Sequence, residues 1–593
     1  MSRVSLRPQR GIALIALVAV IALGASWYMV HRLNTDTGLM TAVVRERNAE
    51  ALNRAKQALI GYVANDTADA AEQNPGRLPC PEAPGSFDNP STEGTAAGTC
   101  TLPAVGRLPW RTLGLDKLVD AAGEPLWYVV SPGWAYSGSN LTINSNTPGQ
   151  LTVDSVANSA VALIIAPGPA FAAQASGPCA AKSQTRPTSG TPDPSNYLEC
   201  QNAVGSTFVT TGPSVSFNDQ VLRVTAADVI PGIEAAIADR IQRQIVPVLK
   251  TVYAPSTWGF SGSNPVYPFA APFANPGPGS GTSNYQGVAT SYQGLLPFNQ
   301  TQGCTASASN PRCLPHPALV TWQSTPAPAV EVYGYGYIQT QSCSWQSGND
   351  VRECTGEYHE YNYQPWRPIR IEMTATFTNV AMGLRALDAT KFTVEAKDDT
   401  SSGPWLSLPP TYTIALNNGS AWGKPLGSAT ITFGATLPNI DAYGWGTYAD
   451  FRIRIDRNSI SDHSLLDATN PTTGWFVRND WFRLVYYAAA KTTTAAYLPS
   501  VGCTTSTSGL LSDNCLRLTT WPSTAVAGDK RALLLLAGRT LTGASRPNGN
   551  IADYVEFGNN DGGTLYEQDP IRSYVNAALK APFNDRVMVV DSN

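Results

Sequence analysis

Residue types able to do chemistry are sparse and scattered in this chain. His31, His316, His359 and His463 are its four histidines, and they share no metal-ligand spacing. The chain has no GxSxG, HExxH, Walker loop or Rossmann glycine pattern, so acyl transfer, zinc hydrolysis and nucleotide chemistry have no local signature. The ten cysteines fall as sequence neighbours: Cys80 and Cys100, Cys179 and Cys200, Cys304 and Cys313, Cys343 and Cys354, Cys503 and Cys515. None forms a CxxC, which leaves zinc ribbons and thioredoxin chemistry without support. An even number in local pairs, set among Gly- and Pro-rich loops, points to disulfides closing short loops in an oxidising compartment. Ten cysteines still permit many connectivities. Paired sulfurs would leave no thiol nucleophile.

Two acidic clusters remain. The stretch GNNDGGTLYEQD gathers Asn559, Asn560, Asp561, Glu567 and Asp569, oxygen ligands that could hold calcium near Asn559 and Asp561. Its glycines do not fit an EF-hand loop, and Asn-Asp-Gly-Gly is also a good turn. KDDTSSG at 397–403 has the same two readings and is better taken as a turn. No other cofactor or metal is expected. A hydrolase within the chain would need carboxylate pairs that sequence alone does not place in space.

The strongest candidate surface is aromatic. In VYGYGYIQTQSCSWQSGNDVRECTGEYHEYNYQPW, Tyr333, Tyr335 and Tyr337 alternate, which predicts one face of one strand. Tyr358, Tyr361, Tyr363 and Trp366 follow the cysteine pair. Aromatic faces beside polar amides suit sugar or protein recognition; a partly buried sheet face is the competing reading.

The elements that must position these residues belong to a long, weakly charged chain. Its 593 residues exceed one core and predict two to four domains. Charged residues reach only 14%, well below the usual quarter, and Ser, Thr, Asn, Gly and Pro fill the gap as in exported, loop-rich β proteins. A net charge of −4 argues against a large nucleic-acid interface.

The amino terminus reads RPQR followed by GIALIALVAVIALGASWYMV, a run of 20 uncharged residues, or ~30 Å of helix. Arg3, Arg7 and Arg10 on one side place residues 1–10 in the cytoplasm by the positive-inside rule. A cleaved secretory signal, with small residues at Ala22–Gly24, is the alternative. Helical periodicity continues through Val44, Leu52, Ala55, Leu59, Tyr62 and Val63, which favours an anchor fused to a soluble spine. QRG followed by IALIALVAV resembles the start of type IV pilins and type II secretion pseudopilins. The blocks ALNRAKQALIGYVA, GRLPCPE, GRLPW, PLWYVVSPG and ALIIAPG look like the helix, loop and strands of a pilin-like head. The resemblance implies cleavage by a prepilin peptidase after Gly11, with Ile12 as the new terminus. Family members usually carry Glu at the fifth mature position; here it is Ala16. The resemblance thereby narrows to the tip pseudopilin and certain minor pilins, whose position ahead of the filament leaves no neighbour to neutralise.

The chain also repeats itself in order. LWYVVS at 126 matches LVYYAA at 484, ALIIAPG at 162 matches ALLLLAG at 532, NYLECQN at 196 matches DYVEFGN at 553, and FNDQVLRV at 217 matches FNDRVMVV at 583; LPW at 108 matches LPF at 296. The second copy has its own helix, with Ile230, Ile233, Ile237, Ile241, Ile245 and Leu249 on one face, Pro231 suited to the first turn and Pro247 expected to kink or end it. Alternating strands between the repeats (IRIEMTATFTNV, KFTVEA, TYTIAL, SATITFGA, DFRIRI) predict an inserted β-sandwich-like domain.

The expected fold is α+β: an N-terminal transmembrane helix continuing into an amphipathic helix packed on an antiparallel sheet, a second anchorless pilin-like copy, and an inserted all-β domain. The expected boundaries are a leader at 1–11, the transmembrane assembly helix at 12–31, a first head at 32–225, a second head at 226–298 and 476–593, and the insert at 299–475. The expected function is non-enzymatic, a minor pilin- or pseudopilin-like subunit at the tip of a type IV pilus or type II secretion pseudopilus, acting in assembly, substrate contact or adhesion. Its implied partners are other such subunits through the N-terminal helix, the prepilin peptidase and the membrane. The implied location is a bacterial inner membrane, crossed once, with the N-terminus cytoplasmic and the bulk periplasmic or extracellular. The alternative is a single-pass membrane-anchored surface or periplasmic binding protein that enters no filament.

Overall fold

Short β-branched and aromatic runs, broken by Gly and Pro, decide the architecture: they satisfy strands, and among the described residues two long stretches sustain a helical stripe. The computed structural model describes residues 42–592 with interruptions, the longest at 171–182, 253–266, 491–514 and 557–572. The chain divides into two compact units, one of residues 1–63, 77–141 and 148–229, the other of residues 64–76, 142–147 and 230–593.

The expected α+β, membrane-anchored pilin-like fold is corrected here. The described residues are mostly antiparallel sheet with few helices. Among them no helix is long and apolar enough to cross a membrane. The physical reason is in the pattern: the apolar residues come in four- or five-residue runs such as WYVV, ALIIA and VYYAA, buried on both faces, or alternate with polar ones. Gly11, Ile12, Ala16 and the whole 12–31 segment lie outside the described residues.

In the first unit the strands Ala104–Arg107, Trp127–Val130, Ala162–Ala166 and Gln220–Val224 form one antiparallel sheet in that order. A helix described over 42–68 buries Leu52, Ala55, Leu59 and Val63; Val44 is exposed, and the stripe begins instead at buried Asn48, whose Oδ1 accepts the Ala121 N–H at 2.7 Å. Trp127, Val129, Leu163 and Ile165 pack with Leu151, Phe208 and Tyr197 into the core.

The last strand of this sheet is held by side chains rather than by a turn. Buried Glu199 accepts the N–H groups of Asn218 (3.0 Å) and Asp219 (2.9 Å) on one oxygen, and buried Asp219 accepts the Glu199 N–H at 3.0 Å in return. Asn218 Nδ2 donates to the Pro169 carbonyl at 2.7 Å, and a Cβ on Gly168, at φ +67°, would meet the Asn218 side chain at 2.8 Å. Arg186 donates to the carbonyls of Gly168 (2.8 Å) and Asn196 (2.7 Å) and lies over the Tyr197 ring.

The second unit repeats this arrangement. Gln293–Leu295, Val485–Ala489, Val526–Leu536 and Arg586–Ser592 pair antiparallel in the same order, and Leu516–Thr520 and Ser573–Asn576 extend the sheet to six strands. The Glu556 N–H donates to Asp585 at 2.9 Å, the Asn584 N–H to Glu556 at 3.0 Å, and Asn584 Nδ2 to the Arg539 carbonyl at 2.8 Å. A Cβ on Gly538 would meet Asn584 at 2.4 Å, and Arg546 lies over the Tyr554 ring as Arg186 lies over Tyr197. Tyr128 donates to the Pro79 carbonyl and Tyr487 to the Pro268 carbonyl, each at 3.1 Å. Residues of the repeated APG/LAG, YxE and FND tripeptides thus make the same clasp in each copy: Gly168, Glu199 and Asn218 in the first, Gly538, Glu556 and Asn584 in the second.

Inserted in the second repeat, between Gln293–Leu295 and Val485–Ala489, are two five-stranded antiparallel sheets. One runs Thr321–Trp322, Arg370–Val380, Gly427–Thr436, Thr411–Asn417, with Ala329–Tyr333 also on Arg370–Val380. The other runs Gly336–Gln346, Val351–Glu360, Ala449–Asp456, Phe392–Asp398, Leu406–Leu408. Ile371, Met373, Phe377, Ile431 and Phe433 of the first share a single core with Tyr358, Val394, Phe451, Ile453 and Ile455 of the second, so the stretch is a β-sandwich. Ala449–Asp456 alternates buried and half-buried at every position, the period-two pattern of a one-sided strand.

The second helical stripe runs through Ala226–Arg240, a π-turn at Ile241–Ile245 and Val246–Val252, with Ile230, Ile233, Ile237, Ile241, Ile245 and Leu249 all buried. Pro231 falls inside the helix rather than in its first turn, and Pro247 does not end it: the π-turn just ahead absorbs the ring and the missing donor. Buried Glu234 accepts the Ser145 hydroxyl at 2.7 Å. Burial raises its carboxyl from 4.5 to about 7, against the opposing pull of Ser145 and Arg586. The folded state therefore binds this proton more tightly than the unfolded chain, and stability is lost as pH rises from the unfolded value toward 7. Urea midpoints at pH 5 and pH 8 test this: relative to wild type, Glu234→Gln should gain about 2–3 kcal/mol more at pH 8 than at pH 5. A difference that is flat with pH would contradict it.

Candidate functional site

The aromatic run YGYGY does not form one strand. Tyr333 closes Ala329–Tyr333 in the first sheet of the sandwich, and Tyr337 opens Gly336–Gln346 in the second. The chain changes sheets at Gly334, where φ is +112° and a Cβ would lie 2.1 Å from the Pro368 carbonyl oxygen; at Gly336 a Cβ would lie 2.2 Å from the Ile369 side chain. The corner brings Tyr335 and Tyr361 together edge to face at 5.6 Å, with the Tyr335 carbonyl accepting the Tyr361 N–H. Tyr337 stands opposite His359 in the register and touches both His359 and Tyr361 at 5.3 Å between ring centroids. His359 in turn meets Tyr448 at 5.1 Å and is fixed by a 2.7 Å contact between Nδ1 and the Thr447 carbonyl. The Tyr337 and Tyr448 hydroxyls lie 3.5 Å apart, and that contact raises the Tyr337 phenol above its ordinary value. Tyr335 is 38% exposed, Tyr361 48% and Trp366 72%.

A bulge follows. The register slips between Ile338 and Thr340, so that Thr340 comes opposite Glu357 and shares the outer face with Tyr337 and His359. Across that face the register continues from Glu357 to Asp450 and from Asp450 to Lys397. The next outward row is Ser342, Thr355, Arg452 and Glu395. A cavity of about 370 Å³ opens here, lined by Thr340, Ser342, Thr355, Glu357 and Asp450, with Trp405 at one wall. Lys397 and Arg452 lie over the Trp405 ring at 5.1 and 4.6 Å, while Lys397 pairs with Asp450 at 3.3 Å and Arg452 donates to Glu395 at 2.7 Å. Such a face offers stacking surface, neutral hydroxyls and mutually balanced charges.

The structure gathers Tyr335, Tyr337 and Tyr361 and separates the rest of the expected surface. Tyr358 turns inward, fully buried, and donates to the Pro438 carbonyl at 2.7 Å. Tyr333 hydrogen-bonds Glu331 on the other sheet, and Trp366 is exposed beyond the corner. Tyr363, His31, His316 and His463 lie outside the described residues, as do Asn559, Asn560, Asp561, Glu567 and Asp569. Among the described residues no group of three or more His, Cys, Asp or Glu side chains could hold a metal. In KDDTSSG, Asp398 accepts the Thr400 N–H at 3.2 Å and that of Gly446 at 3.4 Å, a turn. Cys80 is bonded to Cys100 and Cys343 to Cys354; Cys313 and Cys515 are also in disulfides, and Cys179, Cys200, Cys304 and Cys503 lie outside the described residues. Sequence reasoning missed Tyr448, Trp405, Glu357 and Asp450. The one signal available was the polar–apolar alternation of DFRIRI, which sets Asp450 and Arg452 on the face opposite Phe451 and Ile453.

No family model matches the chain, and no curated protein and no solved structure matches it.

The corner separates surface from core sharply enough to test. Tyr361→Ala should change thermal stability by less than about 1 kcal/mol, whereas Tyr358→Ala should cost about 3–5 kcal/mol through its cavity and the lost bond to Pro438. Equal effects in denaturant unfolding would refute this division.

Proposed function

We propose that this protein is a non-enzymatic recognition subunit of an extracytoplasmic assembly of the pilin or pseudopilin kind. The two repeated sheets serve as its framework and the inserted sandwich as its reader. The observation that carries the recognition half is the corner of Tyr335, Tyr337, His359, Tyr361 and Tyr448, at one end of the second sheet of the sandwich, with Tyr335 and Tyr361 open to solvent. Exposed aromatics fixed by packing rather than buried by it bind with little ordering cost. The disulfides Cys80–Cys100 and Cys343–Cys354 support an oxidising compartment. The assembly half rests on the sequence QRG-IALIALVAV and its junction between Gly11 and Ile12. In this reading Ala16, in place of the usual glutamate, suits a subunit with no neighbour ahead of it, at a tip engaged in assembly, substrate contact or adhesion. Other subunits and the prepilin peptidase are its partners.

Amino-terminal sequencing of the protein from its native membrane fraction tests the assembly half. The expected chain begins at Ile12 and only in cells with an active prepilin peptidase. A chain beginning at Met1 or Ser2 would contradict this and favour a binding protein that enters no filament; one beginning near Ala25 would make it a secreted protein.

A further inference from the structure

We infer that the outer face of the sheet Gly336–Gln346, Val351–Glu360, Ala449–Asp456, Phe392–Asp398 is a binding groove for a neutral oligosaccharide, running from the aromatic corner into the cavity beside Trp405. This rests on the recognition reading above and gives it a ligand class.

Three observations carry the inference. The first is the lining. A pyranose ring presents an apolar C–H face and a rim of hydroxyls, and it needs a flat aromatic surface beside polar side chains that can both donate and accept. The cavity supplies the Trp405 indole, the hydroxyls of Thr340, Ser342 and Thr355, and the carboxylates of Glu357 and Asp450. Lys397 and Arg452, on neighbouring strands, both stack on the Trp405 ring, at 5.1 and 4.6 Å from its centroid, and so hold it at the cavity wall. Apart from Trp405 and Phe451, the described lining residues are polar or glycine, with no aliphatic anchor of the kind a peptide would use.

The second is charge. Lys397 is balanced by Asp450, Arg452 by Glu395 and Arg454 by Glu353 (3.0 Å), and Glu357 adds a further acid. Among the described residues of this face no surplus of cations remains to hold phosphate, sulfate or uronate groups, which disfavours nucleic acids and acidic polysaccharides and favours neutral sugars.

The third is continuity and size. His359 and Glu357 are two residues apart on one strand, so the aromatic corner and the cavity are ~7 Å apart along the same face. The bulge at Ile338–Thr340 keeps both on that face. The cavity, at about 370 Å³, is at the small end of ligand sites and suits one or two sugar rings, with further rings reaching Tyr337 and Tyr361.

The test uses the full chain on an array of immobilised cellohexaose, chitohexaose, mannohexaose and xylohexaose, with heparin and a single-stranded oligonucleotide as polyanions, followed by calorimetry on each sugar bound. At least one neutral hexasaccharide should bind and neither polyanion should. Trp405→Ala and Glu357→Gln should each weaken binding about tenfold at unchanged melting temperature, and Trp405→Phe should restore most of it. Binding to heparin or the oligonucleotide alone, no binding to any neutral sugar, or sugar binding that survives both Trp405→Ala and Glu357→Gln would each overturn the inference. Failure here is distinguishable from failure of the recognition reading. If a Tyr337→Ala, Tyr361→Ala double variant, assembled at normal levels, still abolishes adhesion or substrate contact in cells, the corner recognises a protein and only the sugar assignment falls.

Discussion

Each repeated sheet depends on one buried clasp, the carboxylate of Glu199 or Glu556 accepting the N–H of the Asn that precedes the final strand. Sheet register is ordinarily set by a short turn or by hydrophobic alternation. Neither suffices here, because a long connection separates Ala162–Ala166 from Gln220–Val224 and Val526–Leu536 from Arg586–Ser592. The clasp supplies the missing constraint. It ties the loop after the third strand to the start of the fourth through the Asn218 and Asn584 side chains, and it admits only glycine at 168 and 538. Leaving such buried N–H groups without their acceptor would cost ~1–3 kcal/mol each, enough to matter in a domain of ordinary stability. Because the clasp fixes both ends, the sequence of the chain between them is free to vary.

The same logic explains how an inserted sandwich is tolerated. It is spliced between the first and second strands of the second sheet, Gln293–Leu295 and Val485–Ala489, whose neighbours and clasp are already fixed. The insert brings its own core, shared by two sheets, and so does not borrow apolar surface to fold. What it contributes is a stiff platform: residues facing outward on Ala449–Asp456 and Phe392–Asp398 are set by the pairing of strands whose other face is buried. A recognition surface built on such strands loses little entropy on binding.

How much of this was legible in the sequence follows from the distance over which each feature is encoded. The sandwich strands were readable because period-two alternation is local, as in DFRIRI and KFTVEA, and the repeats because their tripeptides recur in order. The purpose of those tripeptides was hidden, since Glu199 meets Asn218 only through folding. The tyrosine spacing misled: YGYGY reads as one strand face, but Gly334 turns the chain into another sheet, a close approach to Pro368 that no spacing records. Trp405, Glu357 and Asp450 were invisible as a set because they come from two strands and the residue just before a third, and meet only across the sheet. The predicted α+β architecture failed because, among the described residues, the helical stripes, though real at 42–68 and 226–252, are a small part beside many short strands; the expected anchor at 12–31 lies outside those residues.

The account's central claim is that the outer face of the sandwich does the recognising while the repeated sheets only carry it. Hydrogen exchange of the full chain, free and saturated with whichever neutral hexasaccharide it binds, tests that claim most directly. The account predicts slowed exchange confined to peptides covering 336–346, 351–361, 402–408 and 445–452, with the strands Trp127–Val130 and Val485–Ala489 unchanged. Protection centred on the repeated sheets, with those sandwich peptides unaffected, would contradict it.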